Sequence, residues 1–268
     1  MRLLAISLLL LLSCLLVSTG YSREPDTSSS VSVVAKSNRL GISIGASQVK
    51  DAILFPKVHR GYIVGFDYGR IRMKANKLSS YRFEMSYSRA KTKIEDLSAS
   101  LFINLLFQYD NSFKLKSSPR FSYYLGPSTR LNYVLAAYPM WDDSHMYWGN
   151  YASLGIQNTL LWTSENRKTF RLKVEMPLFS ISSRPPAVRQ YKIDDLTFNG
   201  IMQNFNSNLQ AGSLDKVFYL SAEFDYQFPL VAKKKESIGY SFQYLRVNSQ
   251  DNKPLQTIYN MITLKYYF

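Results

Sequence analysis

The sequence predicts an all-β protein, a transmembrane antiparallel up-and-down β-barrel of about ten strands, with twelve strands as the alternative. Segments of about 10–15 residues alternate between apolar and polar side chains, and turn residues separate them. Aromatic residues make up 15% of the chain, with 20 Tyr and 16 Phe. After the N-terminal apolar run, no apolar stretch is long enough for a membrane helix. Strands are therefore the elements expected to cross the membrane.

Residues 1–22 are predicted to be a secretory signal peptide. Arg2 gives a positive start, apolar residues run from Leu3 to Val17, and small residues suit cleavage after Gly20 or Ser22. A membrane anchor is the less favoured alternative, because the run of about 15 residues is shorter than the roughly 20 that a span needs.

Cys14 is the only cysteine of the chain and lies in the segment "LLSC". It is interpreted as an apolar residue of the signal core. The alternative is a lipidated cysteine in a lipobox-like motif, which Leu15 and Leu16 fit poorly. If cleavage removes Cys14, the mature chain has no disulfide and no thiol chemistry.

Residues 23–38 are polar and Ser-rich, and we expect them to be a flexible periplasmic segment that precedes a barrel of residues 39–268. With the C-terminus on the periplasmic side, the connectors at 75–79, 110–118, 163–167 and 229–236 are predicted to be periplasmic. Those at 48–59, 91–95, 137–145, 182–214 and 249–255 are predicted to be extracellular. Strands are predicted at 39–47, 60–73, 79–90, 96–109, 119–136, 146–163, 168–181, 215–229, 236–248 and 256–268.

The alternation assigns one apolar face to each of the clearer strands, with Gly, Ser, Gln and charged residues on the other face. A soluble β-sandwich alternates as well, but here aromatic residues lie near the ends of the apolar faces, as in the belts at membrane interfaces. The predicted outward faces are Tyr62, Val64, Phe66 and Tyr68; Tyr81, Phe83, Met85 and Tyr87; Leu101, Ile103, Leu105 and Phe107; Phe170, Leu172, Val174 and Met176; Phe218, Leu220, Phe224 and Tyr226; and Ile238, Tyr240, Phe242 and Tyr244.

The chain ends inside a predicted strand, with Ile262, Leu264, Tyr266 and Phe268 at steps of two residues. This ending resembles the C-terminal signal of bacterial outer-membrane β-barrel proteins. The resemblance implies export to the bacterial outer membrane and recognition of the last strand by the barrel-assembly machinery. The Tyr/Phe richness and the ending "LKYYF" resemble barrels of Bacteroidota. No narrower family is indicated.

The formal net charge is +14, which suits anionic partners. In an outer membrane these are the phosphates of membrane lipids and lipopolysaccharide. Nucleic acid is a poor alternative, because the chain is exported and its basic residues are scattered rather than arranged in a stripe.

Charged residues on two neighbouring strands form the first candidate site. One strand carries Arg171, Lys173 and Glu175 on its predicted lumen face. These residues are expected to face Glu223, Asp225 and Gln227 on the next strand. A ten-stranded barrel is narrow and tends to be filled by its side chains, so the favoured interpretation is a neutralising network. The alternative is a small pore that prefers anions.

Asp142, Asp143, Ser144 and His145 form a second candidate, on a predicted extracellular loop. A histidine base oriented by a carboxylate is sound chemistry for a rim hydrolase acting on lipid or peptide. Adjacent Ser and His residues do not establish a triad, and a polar loop with aromatic anchors is favoured. No metal site and no cofactor are predicted, and a non-enzyme is favoured.

The predicted loop 182–214 is long enough to have a function of its own. It is expected to cap the barrel mouth or to present a surface to a protein partner, and the cap is favoured. The chain as a whole is predicted to be an outer-membrane barrel with a largely filled lumen and a surface-binding or accessory role in a membrane complex.

Overall fold

The computed structural model describes residues 35–53, 55–92, 100–137, 146–165, 168–185, 195, 197–229, 235–249 and 251–268. Twelve strands and one helix occur in this part of the chain. They are β1 (Ala35–Asp51), β2 (Phe55–Lys74), β3 (Lys77–Lys91), β4 (Ser100–Ser117), β5 (Phe121–Ala137), β6 (Met146–Trp148), β7 (Asn150–Thr163), β8 (Thr169–Ser183), α1 (Phe198–Phe205), β9 (Gln210–Gly212), β10 (Val217–Pro229), β11 (Lys235–Val247) and β12 (Leu255–Tyr267).

Ten of the strands form a closed antiparallel ring. Each pairs with its neighbours in chain order, β8 pairs with β10, and β12 pairs with β1 from Arg39↔Tyr267 to Asp51↔Leu255. The short strands β6 and β9 lie outside this ring and pair with the extracellular ends of β5 and β8. The prediction of ten barrel strands is confirmed, and the alternative of twelve strands in the ring is wrong.

Two predicted connectors are largely strand. The segment 48–59 is not a loop, because β1 continues to Asp51 and β2 begins at Phe55. The segment 110–118 is mostly the end of β4, which pairs with β5 as far as Ser117↔Ser122. In β1 and β2 the outward residues Gln48, Lys50 and Arg60 are polar, so the alternation that predicts a strand fades there. In β4 the outward face continues with Phe113 and Leu115, each 51% exposed, but the polar run of Asp110, Asn111 and Ser112 before them resembles a turn.

The outer wall of the ring is apolar and the inner wall is mostly polar. Ile42 is 72% exposed and Ile44 is 64% exposed, whereas Ser43 between them is 8% exposed. A closed sheet with an outward apolar band and aromatic residues at its margins is the architecture of a transmembrane barrel. The start of β1, the end of β12 and the short turn after β2 lie at the same rim of the barrel. In this architecture the short turns are on the periplasmic side. No helix in the described segments is long and apolar enough to cross a membrane.

The extracellular half of the lumen is filled by an apolar cluster, which we call the plug. Its side chains are buried and come from nearly every barrel strand, and the rings of Tyr151 and Tyr219 stack at 5.8 Å between centroids. Other members of the plug include Val49, Ile63, Phe102, Val134, Tyr147, Leu245, Tyr259 and Met261.

Candidate functional site

The periplasmic half of the lumen holds a network of buried ion pairs centred on Glu223. Its carboxylate oxygens lie 3.3 Å from Nη2 of Arg171, 3.5 Å from Nη1 of Arg82 and 4.0 Å from Nη1 of Arg39. Lys265 also pairs with Glu223. These four cations come from four different strands, so the ring must close before they can meet.

Asp225 lies beside Glu223 on β10 and shares two of its cations. Nε of Arg171 donates to Oδ2 of Asp225 at 2.9 Å, and Nζ of Lys265 donates to Oδ1 at 2.6 Å. The neighbouring strand makes room for this carboxylate with Gly239, where an added Cβ would lie 2.4 Å from Oδ1 of Asp225. Gly41 has the same relation to Asp67, at 2.0 Å from Oδ2. The glycines allow the carboxylates to lie against the barrel wall.

A second group of polar contacts is centred on Glu175. Nε2 of Gln108 donates to Oε2 of Glu175 at 2.6 Å, and the hydroxyl of Tyr219 donates to Oε1 at 3.0 Å. Nε of Arg130 lies 3.6 Å from Oε1, and its guanidinium lies 4.5 Å from the centroid of the Tyr219 ring. Tyr219 thus joins the plug to the charge network.

The ion-paired groups of the lumen and the extracellular rim comprise equal numbers of acids and bases within the part of the chain that the structure describes. Removing any single charge would therefore leave an uncompensated partner in a setting of low dielectric. The formal excess of positive charge lies outside this set. The seven acids are Asp51, Asp67, Glu84, Asp110, Glu175, Glu223 and Asp225, and the seven bases are Arg39, Arg82, Arg130, Arg171, Lys173, Arg184 and Lys265.

Five of the six predicted lumen residues take part in ion pairs. Arg171 lies across from Asp225, and both belong to the network. Lys173 lies across from Glu223 but pairs with Asp110 on β4, with Nζ 2.6 Å from Oδ2, and with Glu175 at 3.6 Å. Gln227 lies across from Thr169 and lines a cavity at the periplasmic end.

Sequence reasoning missed more than half of the network. The missed members lie on strands that do not adjoin β8 and β10, so they reach the predicted residues only across the lumen. The alternation of the sequence could have identified them as inward-facing, because each lies an even number of residues from other inward residues of its strand. The missed members are Arg39, Asp67, Arg82, Glu84, Asp110, Arg130 and Lys265.

A cavity of about 550 Å³ opens at the periplasmic end of the lumen and is called the vestibule here. Arg171, Gln227 and Tyr267 line it, together with Lys114 and apolar side chains such as Leu78. The vestibule thus reaches the edge of the charge network.

The extracellular rim is held by a buried pair between Arg184 and Asp51. Nη2 of Arg184 donates to Oδ1 at 2.8 Å, and Nη1 donates to Oδ2 at 3.2 Å and to the carbonyl of Trp148 at 3.1 Å. Trp148 in turn packs against Phe205 of α1, with 5.3 Å between the ring centroids. This rim ties the segment after β8 to the turn between β1 and β2.

Helix α1 lies against the outer side of the rim, which differs from the favoured prediction of a cap over the mouth. Trp148 is the cross-strand partner of Leu135, a residue of the outward face of β5, and the helix packs on both. Thr197 caps the helix through a hydrogen bond from the Gly200 amide. Hydrogen bonds from Thr197 also lower the pKa of Asp195. The apolar side of the helix packs on apolar residues of the outer wall. The barrel mouth is already filled by the plug.

The candidate hydrolase residues Asp142, Asp143, Ser144 and His145 lie outside the described residues. The other histidine, His59, was expected in an extracellular connector. It lies instead on β2, faces the lumen and is 2% exposed, with its ring edge toward Phe102. No group of three or more potential metal-binding side chains occurs among the described residues.

The last strand, β12, pairs with β1 and directs its apolar side chains to the outer wall. Ile262, Leu264 and Phe268 are 56%, 59% and 51% exposed, and the ring of Tyr266 stacks on that of Phe268. The amide and carbonyl of Phe268 both pair with Asn38, so the terminal residue completes the closing seam of the barrel.

No family model and no curated protein sequence matches the chain. Among solved structures, the translocator domain of the autotransporter NalP from Neisseria meningitidis is 8% identical with a TM-score of 0.39, over 100% of this chain and 98% of that one. The β domain of the Bordetella autotransporter BrkA is 9% identical with a TM-score of 0.39, over 87% and 99%. The transport unit of the autotransporter AIDA-I from Escherichia coli is 10% identical with a TM-score of 0.34, over 96% and 97%.

These identities and TM-scores are low, so it is the chain's own outward apolar face that identifies the type of barrel. The protein is an outer-membrane β-barrel. Its even number of strands, its apolar band and its short periplasmic turns all fit this class.

Proposed function

We propose that this barrel does not conduct and that it acts by binding at its surfaces, as an accessory component of an outer-membrane assembly. The observation that carries the proposal is the filling of the lumen by two successive layers. The plug occupies the extracellular half, and the charge network, which includes Glu223 and Asp225, occupies the periplasmic half. Nearly all side chains of both layers are fixed on barrel strands.

A pore would need a continuous polar path, and the plug interrupts it with apolar side chains. Tyr151, Tyr219 and Met261 are 3%, 1% and 1% exposed. The vestibule, with basic Lys114 and Arg171 among its lining residues, supports periplasmic access as far as the network. A small anion-preferring pore is therefore the alternative that the experiment must separate from a closed barrel.

Planar-bilayer recording of the refolded protein tests the closed state. We expect no steady conductance from the wild type. The quadruple variant Phe102→Ala, Tyr151→Ala, Tyr219→Ala and Met261→Ala, which empties part of the plug, should show open steps and so demonstrate insertion and detection. Steady, anion-selective steps from the wild type would overturn the proposal.

The accessory role is supported by the ordered surface at the extracellular rim. Helix α1 buries Phe205 against Trp148 and leaves polar residues such as Asn199 and Gln203 exposed. A polar face on a helix fixed to the rim suits contact with a protein partner through the 182–214 segment. Such a face would keep one position relative to the membrane.

Affinity purification from native outer membranes in mild detergent tests this role. We expect a stoichiometric partner that is lost from the double variant N199E/Q203E. The matched variant N76E/S118E, which adds the same charge at exposed periplasmic turns, should retain it. Purification of the barrel alone, or equal retention by both variants, would contradict a role for this face.

The proposal also covers the assembly, the lipid contacts and the origin of the barrel. The outward positions of Leu264 and Phe268 support recognition of the last strand by the barrel-assembly machinery. The basic net charge supports contact with lipopolysaccharide, and the Tyr-rich ending supports an origin in Bacteroidota. Hydrolysis at His145 stays a prediction, and an unchanged rate after His145→Ala would remove it.

A further inference from the structure

The periplasmic end of the outer wall carries a group of basic side chains on β1, β2 and β3, which we call the basic groove. The groove has a volume of about 380 Å³. Ser79, Tyr81 and Tyr109 also line it. Its basic residues are Lys36, Arg70, Arg72, Lys74 and Lys77.

The strand register places like charges directly across from one another in this groove. Lys36 is the cross-strand partner of Arg72, and Lys74 is the partner of Lys77. Like charges in this arrangement destabilise a sheet. The residues that line the groove include no carboxylate, and the ion pairs of the described residues do not involve Lys36, Arg70, Arg72 or Lys74. A bound anion would relieve this repulsion.

The contrast with the lumen is sharp. Each buried base of the lumen has a carboxylate within 4.0 Å, on its own strand, on the neighbouring strand or across the lumen. The basic groove has five bases on three adjacent strands and relies on solvent or an external anion for compensation. This concentration of positive charge is therefore not part of the barrel's internal pairing.

The groove lies at the depth where lipid phosphates are found. The outward residues of β2 change from Lys74, Arg72 and Arg70 to Tyr68 and then to Phe66 along the strand. Tyr81, which lies across from Arg70, is also across from Tyr109. Aromatic residues of this kind mark the interface between headgroups and hydrocarbon. The charges thus face the headgroups while the adjoining rings face the acyl chains.

We propose that the basic groove binds the phosphate headgroup of an anionic phospholipid in the inner leaflet of the outer membrane. The guanidinium groups of Arg70 and Arg72 donate paired hydrogen bonds to phosphate oxygens. Lys36, Lys74 and Lys77 supply further positive charge around them. The acyl chains lie along the apolar wall that includes Phe66 and Phe83, which are 46% and 42% exposed. Free phosphate would use the charges but not this wall, which favours a lipid.

Native mass spectrometry of the refolded full-length barrel tests this site. The probes are phosphatidylglycerol, phosphatidylcholine and inorganic phosphate, each titrated separately in the same detergent. We expect the wild type to retain phosphatidylglycerol in preference to phosphatidylcholine. The double variant R70Q/R72Q should bind phosphatidylglycerol about thirty-fold more weakly, since each basic residue near a membrane surface contributes roughly a factor of five.

The matched control is K116Q/K168Q, which removes two exposed charges at the same rim but outside the groove. It should bind phosphatidylglycerol like the wild type, and heat-modified gel migration should report a folded barrel for all three proteins. Equal weakening in both variants, or equal retention of phosphatidylcholine, would overturn the proposal. If inorganic phosphate displaces no phosphatidylglycerol, the result supports a lipid site. If inorganic phosphate binds saturably and displaces the lipid at equal concentration, the groove is a site for a free anion instead. The result does not depend on whether the lumen conducts.

Discussion

Arg184 and Asp51 are separated by 133 residues in the sequence and are joined at the extracellular rim by hydrogen bonds of 2.8 and 3.2 Å. Both side chains are almost fully buried, at 1% and 2% exposure. The pair ties the end of β8 to the turn after β1. Because Asp51 also accepts a hydrogen bond from the Ile53 amide, the acid organises the turn as well.

Removing the guanidinium should leave a buried, uncompensated carboxylate. We expect Arg184→Ala to lower the free energy of unfolding by about 3–5 kcal/mol. Urea unfolding of the refolded barrel in detergent, followed by Trp fluorescence, measures this loss. Arg120→Ala is the control, since its pair with Glu165 is 61% and 75% exposed and should contribute about 1 kcal/mol or less. Equal effects in the two variants would contradict the assigned importance of the rim pair.

Neutralising Glu223 should destabilise the barrel more than neutralising an exposed acid. Glu223→Gln leaves Arg39, Arg82, Arg171 and Lys265 with fewer negative partners. We expect a loss of about 3 kcal/mol in the free energy of unfolding. Glu165→Gln, measured in the same urea titration, should change it by less than about 1 kcal/mol. A Glu223 variant as stable as the wild type would show that the network contributes little.

Adding a methyl group at Gly239 should displace the carboxylate of Asp225. An added Cβ would lie 2.4 Å from Oδ1 of Asp225 and 3.4 Å from Nζ of Lys265. We expect Gly239→Ala to cost about 1–3 kcal/mol, as overpacking usually does. Ser241→Ala, two residues further along the same lumen face, keeps the Cβ and provides the control. If both variants unfold at the same urea concentration, the glycine is not required for the network.

Truncating Phe205 should release helix α1 without opening the barrel. Phe205 packs on Trp148, and its carbonyl accepts a hydrogen bond from Asn150 at 3.1 Å. We expect Phe205→Ala to increase the rate of limited proteolysis between residues 185 and 210 at least several-fold, because loss of a buried Phe side chain costs about 3–5 kcal/mol. Gln203→Ala, on the exposed face of the helix, should leave the rate unchanged. Resistance of the Phe205 variant would indicate that the helix is held by other contacts.

Replacing the terminal residue should slow assembly more than it lowers stability. Phe268→Ala removes a ring that is 51% exposed on the outer wall. Phe107→Ala, at 50% exposure on the outer wall of β4, is a matched control. We expect the terminal variant to fold several-fold more slowly with purified assembly machinery in liposomes and the control to fold at the wild-type rate. Equal rates would count against recognition of the last strand.

Alternation predicted the outer wall well, because lipid contact requires an apolar side chain at every second position. Tyr62, Val64 and Phe66 illustrate this rule, and all three face outward. The same rule fails inside the lumen, where the requirement is mutual packing and not polarity. Phe102 and Tyr219 share a strand face with polar residues and nevertheless form part of the plug.

The pairing within the lumen was less predictable still. Lys173 lies across from Glu223 in the sheet, yet its Nζ contacts Asp110, which is 63 residues away. Neighbouring strands can be paired from sequence order, but contacts across a lumen depend on the tilt and closure of the whole ring. The sequence therefore indicated which side chains face inward without indicating which of them meet.

Two outward arginines of β2 bracket the apolar part of its outer face. Arg60 and Arg70 both lie on the outward face ten residues apart, and the outward residues between them are apolar or aromatic. At about 3.3 Å per residue and a tilt of about 40°, these two charges lie roughly 25 Å apart along the membrane normal. That distance matches the apolar band of about 25 Å that is typical of such barrels. A thicker bilayer would draw one of the two guanidinium groups into the hydrocarbon, so this wall favours a thin membrane and penalises a thick one.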